Sequence, residues 1–148
     1  MPHTWTSWTK RLLLGADEIV ITATPDLANL RNAKNIIDLL KQTRNNDGPP
    51  RLVINMAGIL KRQEIPVKEF CQHLELQPTA IIEYDAETFS NASANGRMIE
   101  EVNKKAKSAA LFRSIAMNLA NRPEALGVAK KASASPLGPL LAKLKLSR

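Results

Sequence analysis

The glycines of this chain do not form a phosphate-binding loop. Such loops wrap successive backbone N–H groups around a phosphate, and they need closely spaced glycines followed by lysine and by serine or threonine. None of the glycines here has a second glycine two residues away, and none is followed by lysine. They are Gly15, Gly48, Gly58, Gly96, Gly127 and Gly138. The 148 residues therefore contain no recognisable phosphate-binding motif.

The other side chains that could do chemistry are scattered. Cys71 is the one cysteine and lies in an apolar segment without an evident base, so we expect it to pack as a small hydrophobic residue. His3 and His73 have no cysteine, aspartate or histidine at ligand spacing, so no metal site is predicted. Asp26 follows Pro25 at the start of a helical pattern and is predicted to cap that helix. No catalytic residue is assigned.

The apolar pattern predicts an α/β fold. Three short β-branched runs, 18–24, 51–56 and 79–84, have the length of strands buried on both faces. Helical spacing covers 26–43, 67–75 (ended by Pro78) and 98–121, the last as one helix or as two joined near Ser108. A short helix over 5–14 is expected to pack through its tryptophans. Alternating strands and helices imply a parallel sheet, so the predicted fold class is a partial, Rossmann-like parallel sheet of three strands with flanking helices.

Charge and composition divide the chain near residue 122. Residues 1–122 carry a net charge of +3, and residues 123–148 carry +4 and are rich in alanine, serine and proline. We predict one α/β domain over 1–122, followed by a flexible basic linker and short amphipathic tail over 123–148. Three states remain open for the tail: weak contact with a membrane surface or an inner-membrane partner, docking on the chain's own domain, and disorder. The contact would use Leu137, Leu140, Leu141 and Leu144 with Lys143 and Lys145. With no export signal in the pattern, the expected location is the cytoplasm or the periphery of the inner membrane.

Several motifs together resemble the C-terminal part of the CpaE-type ATPases of Flp (Tad) pilus assembly, which belong to the MinD/ParA group of deviant P-loop ATPases. The motifs cover most of the chain before residue 123, and their combination is more specific than any one of them. They are TPDLANLRNAKN over 24–35, Val53-Ile54-Asn55 with Gly58, Lys61-Arg62 and Glu64-Ile65, Asp85, Phe89, Asn91, Asn95-Gly96, and Asn121-Arg122. The resemblance implies that the phosphate loop and the Walker B-like aspartate of the family precede the part present here.

The resemblance also implies a nucleotide-binding role for the strand ends. Asn55 matches the asparagine that recognises the adenine edge, and its amide offers both a donor and an acceptor. Gly58 could supply the unwound strand end that this geometry needs. Glu83, Tyr84 and Asp85 match the loop that covers the base. ATP is expected only in an intact or complemented assembly, and Asn55 would also suit the strand–loop junction through its turn chemistry alone.

Three functions remain open at this point. The first is a component of Flp/Tad pilus assembly that acts with other pilus assembly proteins and does not hydrolyse ATP alone. The second is one chain of a split ATPase, completed by a phosphate-loop-bearing partner, with the edge of strand 18–24 as the docking point. A homodimer is a further possible assembly. The third is a small basic nucleic-acid-binding module, against which stand the 4% aromatic content and the nearly balanced charge of residues 1–122.

Overall fold

The computed structural model describes residues 6–120, which form three strands and six helices. The order along the described chain alternates strand and helix as far as the third strand and then ends in helices. The elements are α1 (Ser7–Gly15), β1 (Val20–Ala23), α2 (Leu27–Thr43), β2 (Arg51–Ala57), α3 (Val67–Leu74), β3 (Pro78–Glu83), α4 (Ala86–Ala94), α5 (Ile99–Val102) and α6 (Lys107–Leu119). The predicted α/β class with a three-stranded parallel sheet is confirmed. The predicted boundary at residue 122 and the amphipathic tail lie outside the described residues.

The three strands are parallel and stand in the order β1-β2-β3, so β2 is the central strand. Val20 of β1 lies beside Arg51, and Leu52 of β2 lies beside Pro78. Leu52, Val53 and Ile54 of β2 are buried because helices cover the central strand on both faces of the sheet. All three strands therefore end at one edge of the sheet, which we call the carboxyl edge.

One face of the sheet carries the larger core. Helices α2 and α3 pack there against β1 and β2, burying Ile37, Phe70 and Leu74 completely together with Leu52 and Ile54. Helix α2 forms because Asp26 caps its first turn, accepting from the Asn29 backbone N–H at 2.8 Å, and because its apolar residues recur every three or four positions. The predicted capping role of Asp26 is thus confirmed.

The second face is covered by α4 and α6, but over different strands. Val53, Ala80 and Ile82 form a smaller cluster against Phe89, Leu111 and Ile115. No described helix covers β1 on this face: Val20 is 37% exposed, and Thr22 is exposed too. The two helical layers are therefore offset by one strand, and β1 is covered on one face only.

Two of the packing expectations are wrong. Strand β1 is shorter than 18–24 and buries only alternate residues, Ile21 and Ala23, so it is not covered on both faces. Helix α1 does not pack through Trp8, which is 65% exposed; Thr9 and Leu13 face inward instead. Both errors come from treating an apolar residue as buried without knowing whether an element covers it.

Three helix boundaries also differ from the pattern. Helix α3 ends at Leu74 because Glu75 takes a left-handed conformation (φ 57°), and Pro78 instead opens β3. Helix α4 was missed because its apolar residues are few. The region 98–121 forms two helices, as one of the two predicted alternatives had it, but they join at 103–106 and not at Ser108. There the Asn103 side chain accepts from the Lys105 backbone N–H at 3.1 Å and competes with the helical pattern.

The core assignment predicts a strong asymmetry between two large apolar side chains. We expect Phe70→Ala to lower the free energy of unfolding by about 3–5 kcal/mol, because a fully buried ring leaves a cavity. Leu60→Ala, at a side chain that is 90% exposed, should change it by less than about 0.5 kcal/mol. Urea unfolding followed by circular dichroism measures both, and similar losses in the two variants would refute this core.

Candidate nucleotide-binding site

The polar residues of interest gather at the carboxyl edge of the sheet. In an open parallel sheet, ligands bind outside the carboxyl ends of the strands. The turn after β1, the end of β2 and the turn after β3 meet at this edge: the Tyr84 backbone N–H donates to the Ala57 carbonyl at 2.8 Å, and that of Ile65 donates to the Pro25 carbonyl at 2.8 Å. The candidate site is therefore built from three loops on adjacent strands.

Asn55 lies where the end of β2 is distorted. Ile54 lies opposite Ile81 and Ala57 opposite Glu83, so β2 holds one residue more than β3 over the same distance. Met56 takes up this extra residue in a left-handed conformation (φ 55°), and Gly58 follows with φ 81°. The strand end is thus unwound at Met56 as well as at the predicted Gly58. The half-buried Asn55 amide has no hydrogen-bond partner among residues 6–120.

The predicted base-covering loop lies next to Asn55 on the neighbouring strand. Glu83 is the last residue of β3 and forms an exposed ion pair with Lys107 at 3.6 Å. Tyr84 leaves about half of its surface exposed at the edge. The Asp85 carboxylate caps α4 by accepting from the Thr88 backbone N–H at 3.0 Å, and its hydrogen bonds with Thr88 lower its pKa. Asn55, Glu83 and Tyr84 therefore remain available to a ligand, whereas Asp85 is used by the fold.

A polar network that the sequence did not reveal fixes the turn after β1. Thr24 donates to the Asp26 carboxylate, and the Asn29 side-chain amide donates to Thr24 Oγ1 at 2.7 Å and to Asp26 Oδ2 at 2.9 Å. Burial alone would raise the pKa of Asp26, but the hydrogen bonds from Asn29 and Thr24 and the nearby Arg62 charge lower it. The network holds Asp26 ionised and the start of α2 fixed.

A second network organises the loop after β2, and we call it the Arg62–Glu64 clasp. Glu64 accepts from the backbone N–H groups of Gly58 (2.9 Å) and Ile59 (3.0 Å) and from the Arg62 guanidinium at 2.8 Å. Arg62 also donates to the Met56 carbonyl at 2.7 Å. These bonds, first those from Gly58 and Ile59, lower the pKa of Glu64. The sequence signal for the clasp was the Arg-x-Glu spacing shortly after Gly58, which alone does not specify these contacts.

A concavity of the described chain lies at the opposite edge and is not part of this site. It encloses about 760 Å³ at the amino ends of β1 and β2. Apart from Asp17, its charged groups are used in structural contacts: Lys41 pairs with Glu75, Arg51 with Glu18, and Arg44 with Asp47 and with the Leu13 and Ala16 carbonyls. We therefore place the candidate function at the carboxyl edge.

The described residues fit one side of a nucleotide but not the other. The unpaired Asn55 amide and the exposed Tyr84 ring suit a purine base.

Within residues 6–120 no group of three or more histidine, cysteine, aspartate or glutamate side chains could hold a metal ion. Cys71 is buried as expected, and burial raises its pKa, so it is not an activated thiol. The same part of the chain has no helix long and apolar enough to span a bilayer.

Comparisons with known proteins identify the fold. No protein-family model matches the chain. Its sequence is 32% identical over 113 residues to the septum site-determining protein MinD of Bacillus subtilis (strain 168), covering 74% of this chain and 41% of that protein. The structure matches a ParA family ATPase from Chlorobium tepidum TLS with a TM-score of 0.58 and 19% identity, covering 74% of this chain and 45% of the other. The chain has a MinD/ParA-type fold.

The MinD/ParA-type fold is present only in part. The chain spans less than half the length of either relative, so the activity of the whole proteins does not transfer to it directly. Neither relative is a CpaE-type pilus protein, and that narrower assignment stays a prediction. The expectation of a MinD/ParA-type P-loop ATPase relationship is confirmed at the level of sequence similarity and fold.

The distorted end of β2 gives a test of the site's backbone. A left-handed conformation costs a residue other than glycine about 1–2 kcal/mol, and a β-branched side chain more. Met56→Val should therefore lower the free energy of unfolding by at least about 1 kcal/mol, whereas Met56→Gly should leave it unchanged or raise it, since the Met56 side chain is 38% exposed. Urea unfolding measures both. Equal stability of the valine and glycine variants would show that Met56 is not held at positive φ.

Proposed function

We propose that this chain supplies the base-recognising part of a MinD/ParA-type adenine-nucleotide site. Asn55 would read the edge of adenine, because its amide can donate to one ring position and accept from the neighbouring amino group. Tyr84 would offer a flat apolar surface to the base. The single observation that carries the proposal is the unpaired, half-buried Asn55 amide at the distorted end of the central strand.

The phosphate-binding part must come from an element outside the described fold. Phosphoryl transfer in P-loop ATPases needs a loop lysine, a hydroxyl that holds Mg²⁺ and a carboxylate for the metal. Residues 6–120 contain no glycine-rich loop with a lysine, and the Thr24 hydroxyl and Asp26 carboxylate at the carboxyl edge are used to fix the turn after β1. Bound ATP would bring the phosphates and their metal, and this chain's residues would bind and orient the base. We therefore propose that the chain alone does not hydrolyse ATP.

Strand β1 is the proposed docking point for the phosphate-loop element. Like β3, it pairs with only β2 among the described strands, so its other edge presents free backbone donors and acceptors. We choose β1 because the resemblance implies that the phosphate loop precedes the part of the family present here. Val20 and Thr22 are exposed on the face that α4 and α6 do not reach. A strand added at this edge, followed by a helix over Val20 and Thr22, would complete both the sheet and its cover. The element can belong to a partner chain or to a longer form of the same polypeptide.

The base-reading role predicts a loss of nucleotide affinity on one substitution. When the chain is mixed with a polypeptide carrying the phosphate-loop part of a MinD/ParA-type ATPase, Asn55→Ala should weaken binding of a fluorescent ATP analogue by roughly 5- to 150-fold, the value of one bidentate base contact of about 1–3 kcal/mol. Asn45→Ala, an exposed residue at the opposite edge, is the matched control. Equal affinity of the two variants would rule Asn55 out as the base reader.

The biological role that we propose is in Flp/Tad pilus assembly, together with the pilus assembly machinery. Its support is the combination of motifs shared with the CpaE-type ATPases, from Thr24 to Arg122. Deleting the gene in its host should reduce surface pili, wild-type protein should restore them, and the Asn55→Ala protein should not at equal abundance. Electron microscopy of the cells measures this. Normal piliation after deletion would contradict the role, and the base-reading proposal would then stand or fall on the binding assay alone.

A further inference from the structure

Backbone strain is concentrated in the loop that follows Asn55. Within residues 6–120, three of the five residues at positive φ lie here: Met56 (φ 55°), Gly58 (φ 81°) and Lys61 (φ 63°). Methionine and lysine do not adopt this conformation readily. Such residues persist only where surrounding contacts hold them. The contacts that hold this loop must therefore offset the conformational cost of Met56 and Lys61.

The Glu64 carboxylate supplies those contacts from inside the loop. Successive backbone N–H groups in a chain of alternating handedness form a concave nest that binds an anion. Here the N–H groups of Gly58 and Ile59 both point at Glu64, at 2.9 and 3.0 Å, so the nest is filled by the protein's own carboxylate. Charge-assisted hydrogen bonds of this kind are the stronger class. Glu64 thus fixes the path of residues 58–59.

Arg62 connects Glu64 to Met56, the residue that follows Asn55. Its guanidinium binds Glu64 through Nη2 at 2.8 Å and through Nε at 3.2 Å, and the same Nη2 donates to the Met56 carbonyl at 2.7 Å. The Met56 carbonyl belongs to the Met56–Ala57 peptide, which is the second peptide after Asn55. The Ile65 backbone N–H then ties the loop to the Pro25 carbonyl at 2.8 Å, which anchors it against the turn after β1.

We propose that Arg62 and Glu64 are positioning residues for Asn55: the clasp holds the backbone after Asn55 in its left-handed path and so fixes the direction of the base-reading amide. The relevance to nucleotide binding rests on the proposed function. The structural coupling between the clasp and Asn55 does not. Preorganisation of this kind lowers the ordering cost that a ligand would otherwise meet.

The coupling can be tested on the full chain by nuclear magnetic resonance. Glu64→Ala should speed hydrogen exchange of the Gly58 and Ile59 amides by at least about tenfold, because both lose a charged acceptor. It should also shift the side-chain amide resonances of Asn55. Arg62→Lys keeps the charge but loses the planar guanidinium that binds Glu64 through Nε and Nη2 while reaching the Met56 carbonyl, so it should shift Asn55 too. Glu69→Ala, at an exposed glutamate on α3, is the matched control and should do neither.

The Asn55 resonances distinguish positioning from mere loop stabilisation. If Gly58 and Ile59 exchange faster in Glu64→Ala while the Asn55 side-chain resonances stay at their wild-type positions, the clasp stabilises the loop without positioning Asn55, and the inference fails. Unchanged exchange at Gly58 and Ile59 would overturn it as well. Should Glu64→Ala fail to fold, the Arg62→Lys spectrum gives the decision.

An adenosine titration separates this inference from the proposed function. If wild-type chain shows saturable Asn55 shifts with adenosine, Glu64→Ala should weaken that binding by about five- to tenfold and Glu69→Ala should not. If adenosine produces no shift in wild-type chain but does so once the phosphate-loop polypeptide is added, the same comparison is made in the mixture. No response in either case counts against the proposed function, whereas the clasp is still judged by exchange and by the Asn55 resonances.

Discussion

The parallel pairing of β2 with both of its neighbours is the constraint on which the remaining structure depends. It places Leu52 and Ile54 on one face and Val53 on the other, where helices bury them, and it brings the ends of all three described strands to one edge. Both crossover helices, α2 and α3, cover the β1–β2 side of one face, while α4 and α6 cover the β2–β3 side of the other. The offset leaves each edge strand with a free edge and one less covered face: Val20 of β1 is 37% exposed, and Ile81 of β3 is 39% exposed.

The same strand also carries the local distortion that makes a site of this edge. A regular end of β2 would continue the ladder with β3 and direct successive side chains to alternate faces. The extra residue at Met56 interrupts that alternation next to Asn55, and the loop beyond it is held by ionic and backbone contacts within a few residues. Rigid strands thus supply the position of the site, and a strained, internally bonded loop supplies its detail.

The parts of this fold that sequence reasoning predicted are those in which each residue's neighbours along the chain decide its state. Strand β2 and helices α2 and α3 follow from β-branched runs, from apolar spacing and from the Asp26 cap. Helix α4 was not predicted because only Phe89 and Ala92 give it an apolar side. The exposed faces of Val20 and Trp8 depend on which helices lie nearby, and that information is tertiary.

The candidate site also has features that could be predicted from the sequence and features that depend on the tertiary structure. That Asn55 and the loop from Glu83 to Asp85 share an edge follows from parallel topology, because neighbouring parallel strands end together. The Arg62–Glu64 clasp could not be predicted, since Glu64 binds backbone N–H groups whose direction depends on left-handed residues that the sequence does not mark, and Met56 and Lys61 run against their own preference. The role of Asp85 as an N-cap was not predicted, because the helix that it caps, α4, was not predicted.

Hydrogen exchange at β1 tests the central claim most directly. The full chain would be compared with and without a polypeptide carrying the phosphate-loop strand of a MinD/ParA-type ATPase, and exchange would be followed at the amides from Val20 to Ala23. Our account predicts that the amides not bonded to β2 become strongly protected on mixing, while those of β3 at the opposite edge of the sheet do not change. Protection at β3 with no change at β1 would contradict it.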